Sequence, residues 1–315
     1  MRILPHWTAL FIGALVLAPL AAEATLQLYV RYLGKRDRLI RFDSEAGWST
    51  TPNLVTMQVN AAGEQWSVKT DQHGQRIIAQ NRLARRRILI LGDSLSFGEG
   101  VNVEDRFDVK MLPSLPGTIV INTGVMGYGT DQEYVVYRHW KYILKPGDSV
   151  LIVLNQSDYF DVLRRRFFGR AKPYFEKVDD SFVLRPPSTN SLERWSDRSL
   201  VARVAARFVV GLGKESSVSE RLDLRRSIEI ICFVLDRIRE EAPRGVRVIL
   251  AHQGTRDFLL PKLGLSSSMF CQFADVCIDL DNVLMAEPAS LLPDGHWSVS
   301  GHAAVARSLR EVLRD

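Results

Sequence analysis

Residues 87–98 read RILILGDSLSFG. The first five form a short apolar run rich in branched side chains, which is typical of a buried parallel strand. Gly92 and the polar residues after it end that run, so Ser94 is expected at the carboxyl end of a strand. Ligands of open α/β sheets bind at this edge. The stretch therefore predicts an α/β fold with a serine hydroxyl beside its crevice.

Four more runs of this kind follow along the chain, at 118–121, 149–154, 246–250 and 276–279. The segments between them are long enough for crossover helices, for example at 130–144 and 226–240, which favours parallel pairing. A further amphipathic helix is expected at 303–313. The prediction is a three-layer α/β/α sandwich around a five-stranded parallel sheet, flavodoxin-like in organisation.

The predicted α/β domain takes residues 86–315. Residues 25–85 read as a juxtamembrane segment followed by a small β-rich appendage, because glycine and proline separate short alternating runs there. An insertion at about 159–225 contains a hairpin-like stretch at 174–184. An insertion of this size is either a lid or substrate wall, or a passive surface excursion.

The amino terminus carries Arg2, an uncharged stretch at 7–22 and then Ala22-Glu23-Ala24. Its length and its small-residue ending predict that residues 1–24 are a signal peptide or a membrane anchor. The expected location is periplasmic or otherwise extracytoplasmic, either secreted or anchored by this segment. Basic residues between Arg31 and Arg41 argue for the opposite orientation of an anchored form.

Composition limits the partners. The chain has 315 residues, 46% of them hydrophobic, which permits a sizeable core. Its 41 basic and 36 acidic residues give a formal charge of +5. Such a mixed surface lacks the one-sided field of a nucleic-acid binder, so no nucleic-acid partner is expected. Cys271 and Cys277 are close enough to pair if the geometry allows, and no cysteine spacing indicates a metal; neither metal nor cofactor is expected.

A serine hydroxyl becomes a nucleophile only beside a base. Asp294 and His296 are the candidates, because a neutral imidazole can accept the proton of Ser94 while a carboxylate fixes the imidazole tautomer. A zinc site made of Asp294, His296 and His302 lacks further ligands. The pattern therefore favours nucleophilic catalysis.

Three blocks in this order resemble the SGNH hydrolase superfamily, also called GDSL-type esterases and lipases. They are GDSLSFGEG at 92–100, NTGVMGYGT at 122–130 and DGHWSVSGH at 294–302. The resemblance implies that Ser94 is the nucleophile, His296 the base and Asp294 its carboxylate partner. It also implies that the N–H groups of Ser94 and Gly127 are oxyanion donors, and that His302 only supports the start of the last helix.

A further block, LNQSD at 154–158, departs from the family pattern. The family places asparagine immediately before the aspartate, where this chain has Ser157, and Asn155 lies two residues earlier. Ser157 is expected to be the side-chain oxyanion donor, with Asn155 as the alternative. Loss of one such donor typically costs about a hundred- to a thousand-fold in rate.

The resemblance implies a serine hydrolase that cleaves carboxyl esters of short acyl or O-acetyl groups through a Ser-His-Asp triad and an acyl-enzyme. Its partner would be an acyl-ester substrate, with acylated glycans among the candidates, and its amino-terminal segment could associate with a membrane. Two alternatives stay open. One is an O-acyltransferase acting on envelope polysaccharide, and the other is a catalytically silent envelope binding protein.

Overall fold

The computed structural model describes most of the chain from residue 39 onwards. The described residues are 17–18, 20–25, 39–79, 84–167, 170–188, 199, 201, 223–253, 260 and 264–314. Most of the predicted signal or anchor segment and a large part of the predicted insertion lie outside them. None of the helices within these residues is long and apolar enough to cross a membrane.

The strands of the described residues belong to one central sheet and four small hairpins. In chain order they are β1 Ile40–Asp43, β2 Gly47–Thr50, β3 Val55–Val59, β4 Gln65–Lys69, β5 Arg86–Leu91, β6 Thr118–Asn122, β7 Ser149–Leu154, β8 Arg166–Phe167, β9 Arg170–Ala171, β10 Tyr174–Val178, β11 Ser181–Arg185, β12 Arg247–His252 and β13 Val276–Asp279.

The central sheet has the order β6-β5-β7-β12-β13, and all of its neighbouring strands are parallel. Numbered along the chain, this is the order 2-1-3-4-5 of flavodoxin-like sheets. The predicted five-stranded parallel sheet is thereby confirmed. The strand order reverses at β5, and ligands of open α/β sheets bind beside such a reversal at the carboxyl ends of the strands.

The helices lie in the connections between the central strands and after the last of these strands. They are α1 Ser94–Phe97, α2 Phe107–Met111, α3 Thr130–Trp140, α4 Asp158–Asp161, α5 Leu224–Glu241, α6 Leu280–Met285 and α7 Val299–Leu313. Short 3-10 helices lie at Val103–Asp105, Leu112–Ser114, Lys141–Ile143 and Ser267–Phe273. The three predicted helices correspond to α3, α5 and α7, and α7 begins four residues earlier than predicted because Ser298 caps it.

The core forms two layers, one on each face of the sheet. Successive side chains of a strand point to opposite faces. Leu89 and Leu91 pack in the cluster that contains residues of α3 and α5. Ile88 and Ile90 pack in the other cluster, with residues of α2, α6 and α7. The three-layer arrangement follows from this alternation.

The predicted β appendage is present as two antiparallel hairpins, β1–β2 and β3–β4. Their buried tryptophans pack against the α/β domain: Trp48 clusters with Tyr128, and Trp66 with Phe97. Within the predicted insertion, β10 and β11 pair as the expected hairpin. Cys271 and Cys277 are joined in a disulfide, which links the last 3-10 helix to β13.

Candidate active site

Ser94 is the first residue of α1 and follows the end of β5 by three residues. Asp93 caps the helix, because its Oδ1 accepts a hydrogen bond from the Leu95 N–H at 2.9 Å. The hydroxyl therefore lies where the sequence placed it, at the carboxyl end of a central strand.

The loop between α6 and α7 carries Asp294 and His296. Gly295 has a φ of 95°, a conformation that favours glycine, and Leu292 N–H donates to the His296 carbonyl at 2.7 Å. Trp297 is fully buried, and its Nε1–H donates to Gln253 Oε1 at 2.8 Å. These contacts fix the histidine backbone against the edge of the sheet.

The two predicted blocks meet. His296 Nε2 lies 2.9 Å from Ser94 Oγ, and His296 Nδ1 lies 3.0 Å from Asp294 Oδ2. The N–H direction at Nδ1 is not well aligned with that oxygen, which is common in free enzymes before a substrate tightens the site. Partial burial opposes ionisation of Asp294, but the contact with His296 outweighs it and holds the pKa of that carboxyl below its usual value.

The loop after β6 lies against the turn that carries Ser94. Asn122 Nδ2 donates to the Ser96 carbonyl at 2.8 Å, and Val125 N–H donates to Gly92 at 3.3 Å. Gly127 has a φ of 72°, so a side chain would be strained there. Among the described residues, neither the Ser94 N–H nor the Gly127 N–H donates to a protein acceptor. Both amides are available to an anion.

The block at 154–158 contacts Asp93 through two side chains. Strand β7 ends at Leu154, so Asn155 lies just after the strand. Asn155 Nδ2 and Ser157 Oγ both donate to Asp93 Oδ2, each at 3.0 Å. Burial outweighs these hydrogen bonds and raises the pKa of Asp93. The single hydroxyl hydrogen of Ser157 is engaged in this contact, whereas Asn155 keeps a second amide hydrogen.

Sequence reasoning assigned no role to Glu99. Its Oε2 lies 3.4 Å from His296 Nε2, on the side of the ring that faces Ser94. Burial raises the pKa of Glu99, and repulsion from Asp294 and Asp93 acts in the same direction, while His296 opposes both. A lone glutamate in a loop gives no signal in a sequence, although Glu99 lies within the first block, at 92–100.

His302 does not reach the serine. It lies on α7 with about 1% of its surface exposed, stacks on Phe107 and packs edge-on against Trp297. Phe107 N–H donates to its Nδ1 at 3.3 Å. Burial and nearby cations hold the pKa of His302 well below its usual value, so the ring is neutral. The expectation that it supports the helix start agrees with these contacts.

Two buried carboxyls lie behind the site. Glu133 and Asp158 are almost completely enclosed, and each has one oxygen without a hydrogen-bond partner. Burial, followed by repulsion from neighbouring carboxylates, raises the pKa of both groups well above their usual values. Nearby, Lys172 Nζ bonds both oxygens of Asp131 at 2.7 and 2.8 Å. The positive charge of Lys172 neutralises only part of the acidic cluster formed by Asp131, Glu133 and Asp158.

Within the described residues, one group of potential metal ligands comes together, namely His252, Cys271 and Cys277. Both sulfurs belong to the disulfide and are not thiolates, so they cannot bind a metal in this state.

A scan against known protein families found no matching model. A search of curated proteins also found no match. Among solved structures, the chain is similar to a lipolytic protein of the G-D-S-L family from Veillonella parvula, with 12% identity and a TM-score of 0.39 over 72% of this chain and 98% of that one. An acetyl xylan esterase from Geobacillus stearothermophilus has 15% identity and a TM-score of 0.43 over 73% and 95%. An α/β hydrolase enzyme from the metagenome of Lake Arreo, Spain, has 14% identity and a TM-score of 0.44 over 74% and 97%. Identities of this size do not establish a shared reaction.

Proposed function

We propose that the chain is a serine carboxyl-ester hydrolase of the SGNH type. One observation carries the proposal: Ser94 Oγ lies 2.9 Å from His296 Nε2, while Asp294 lies 3.0 Å from the opposite ring nitrogen. The contacts join a nucleophile to a base and the base to an orienting carboxylate. Hydrolases of unrelated fold activate serine through this arrangement.

In the proposed reaction, Ser94 Oγ bonds to the ester carbonyl carbon as its proton passes to His296 Nε2. The carbonyl π electrons move to oxygen. The tetrahedral intermediate then expels the alcohol, which takes the proton from Nε2, and an acyl-enzyme remains. Water, deprotonated by His296, hydrolyses that ester and regenerates Ser94.

The developing oxyanion is proposed to accept hydrogen bonds from the N–H groups of Ser94 and Gly127, which have no protein acceptor among the described residues. For the side-chain donor, the spare amide hydrogen supports Asn155 over Ser157. The acyl group is proposed to be short, as in acetyl esters. The side-chain donor is proposed to contribute to the rate at which such esters react.

A fluorophosphonate probe tests the proposal, because it reacts covalently only with an activated serine. The purified protein should be labelled and should hydrolyse p-nitrophenyl acetate, whereas Ser94→Ala and His296→Ala should do neither. His302→Ala is the matched histidine control and should keep its reactivity if it folds. Unlabelled wild-type protein without esterase activity would support the silent binding protein instead.

The location is proposed to be extracytoplasmic. The disulfide between Cys271 and Cys277 supports this, since such bonds persist in oxidising compartments. Alkaline phosphatase fused after Arg41 should be active in cells. An inactive phosphatase fusion beside an active cytoplasmic reporter at the same position would place the domain in the cytoplasm.

A further inference from the structure

The imidazole of His296 lies between two carboxylates. Asp294 Oδ2 is 3.0 Å from Nδ1, and Glu99 Oε2 is 3.4 Å from Nε2. The same Nε2 is 2.9 Å from Ser94 Oγ, so it is the atom that would carry the transferred proton. Glu99 therefore contacts a reacting atom of the proposed mechanism.

The backbone around Glu99 is held in place. Its N–H donates to the Ser94 carbonyl at 3.0 Å, which ties it to the nucleophile turn. Buried Arg76 donates to three carbonyls of segment 97–101 at 2.8, 2.9 and 3.3 Å, and Asn60 donates to a fourth at 3.0 Å. The proximity of Glu99 to the histidine is thus set by several independent hydrogen bonds.

The Glu99 carboxylate accepts no hydrogen bond from any donor among the described residues. About a third of the side chain is exposed. Three titratable groups act on its charge: Asp294 and Asp93 oppose ionisation, and His296 favours it. Because a partly buried carboxylate without a donor is costly, a positive charge at Nε2 would relieve that cost.

We infer that Glu99 is a further catalytic residue, whose negative charge stabilises the imidazolium of His296 while Ser94 attacks the ester. The inference rests on the proposed function. As the Oγ–H bond breaks and the Oγ–carbon bond forms, the proton arrives at Nε2 and the ring becomes positive between Asp294 and Glu99. The proton leaves again to the alcohol oxygen when the ester bond breaks, so Glu99 itself gains and loses nothing.

This contribution is specific to the transition state. Transfer of the Ser94 proton to Nε2 adds one positive charge to the ring, so the attraction between Glu99 and the ring is stronger in the transition state than before the transfer. An interaction that appears only then raises kcat without tightening substrate binding.

The test compares Glu99→Gln with Glu311→Gln, which removes the same charge from an exposed position on α7. Glutamine keeps the shape of Glu99 and loses its charge. We expect Glu99→Gln to lower kcat for p-nitrophenyl acetate by about ten- to a hundred-fold near pH 8, with KM little changed, and Glu311→Gln to match wild type. The ratio of wild-type kcat to Glu99→Gln kcat should shrink as the pH falls, because protonation of Glu99 removes the charge that glutamine lacks.

Equal kcat values for wild type and Glu99→Gln, or a deficit that stays constant across pH, would overturn the inference. If Glu99→Gln unfolds, Glu99→Asp provides the test, because aspartate keeps the negative charge. This variant must retain more than half of the wild-type kcat. A loss of kcat as large as that of Glu99→Ala counts against a charge role. Failure of the proposed function can be told apart from failure of this inference. If the proposed function were wrong, the fluorophosphonate probe would not label the wild-type protein.

Discussion

At the residue scale, Asp93 explains how the block at 154–158 can have Ser157 immediately before its aspartate. Its Oδ1 caps α1, and its Oδ2 accepts hydrogen bonds from both Asn155 and Ser157. One carboxylate thus ties the nucleophile turn to the loop after β7. A serine suffices in the usual asparagine position if its task is to hold Asp93 and a neighbouring amide supplies the oxyanion donor.

Asn155→Ala and Ser157→Ala form a matched pair, because each removes one hydrogen bond to Asp93. We expect Asn155→Ala to lower kcat by about a hundred-fold with KM little changed, since it also removes the spare amide hydrogen. Ser157→Ala should lower kcat by less than about ten-fold. Steady-state kinetics with p-nitrophenyl acetate measures both, and the reverse ranking would return the donor role to Ser157.

The proximity of Ser94, Asp294 and His296 could be predicted from sequence, because each lies in a short contiguous block at a strand end or just before a helix. Glu99 could not, since its role depends on which side of an imidazole its carboxylate reaches after the chain has folded. Sequence alone does not decide between Asn155 and Ser157 as the proposed oxyanion donor, because the choice depends on which acceptor each side chain finds.

At the scale of elements, the two hairpins of the appendage hold the loops of the site from outside. Trp48, on β2, donates from Nε1 to the Met126 carbonyl at 3.0 Å, next to Gly127. Arg76, just after β4, spans the carbonyls of segment 97–101, next to Glu99. The appendage therefore holds the backbone of two loops of the candidate site.

Arg76→Met tests that support, because methionine keeps the apolar stem and removes every hydrogen bond to the carbonyls. Burial lowers the pKa of Arg76 to about 9, so the side chain still carries its charge at neutral pH. Leaving these carbonyls unpaired should cost about 2–5 kcal/mol of unfolding free energy and should reduce kcat in the remaining folded protein.

Urea unfolding and esterase assays give the two readouts. Arg41→Met is the control, since Arg41 is an exposed arginine on the same appendage. Equal stability of Arg76→Met and Arg41→Met would mean that the appendage does not brace segment 97–101.

The central strands could be predicted to within one or two residues because buried parallel strands are continuous apolar runs. The hydrogen bonds from the appendage to the loops of the candidate site could not be predicted, because a backbone carbonyl accepts a hydrogen bond whatever residue carries it. The sequence of residues 97–101 thus contains no sign that Arg76 binds there.

At the scale of the whole molecule, buried carboxyls make stability depend on pH. Glu133 and Asp158 have pKa values in the folded state well above their usual ones. Between the unfolded and folded pKa values the folded protein binds more protons than the unfolded chain, so the free energy of unfolding falls as pH rises through this window. The expected optimum of stability is therefore mildly acidic.

Glu133→Gln removes one of these groups. We expect the variant to be more stable than wild type near pH 8, by about 1 kcal/mol or more, and the gain to vanish below about pH 3, where wild-type Glu133 is protonated in both states. Urea unfolding at several pH values measures it, with Glu311→Gln as the exposed control. A variant less stable than wild type at pH 8 would show that Glu133 is ionised and held by a partner.

The limits of the α/β domain stay a sequence prediction, as does the anchor or signal at residues 1–24. Composition and hydrophobic runs indicate such segments, but they carry no information on how the segments pack. The acidic cluster was equally invisible, since Glu133, on α3, and Asp158, on α4, come together only through the sheet order.

That sheet order also has a consequence for how the protein folds. The site draws on the loops after β5, β6 and β7 and on the turn before α7, so its contacts join residues up to 202 positions apart. Contacts of such long range form late and slow the refolding of a chain, because the entropy of closing the loops is lost before the contacts reward it. Reactivity of Ser94 should therefore return only with the last kinetic phase of refolding. Its recovery would report when the native topology is complete.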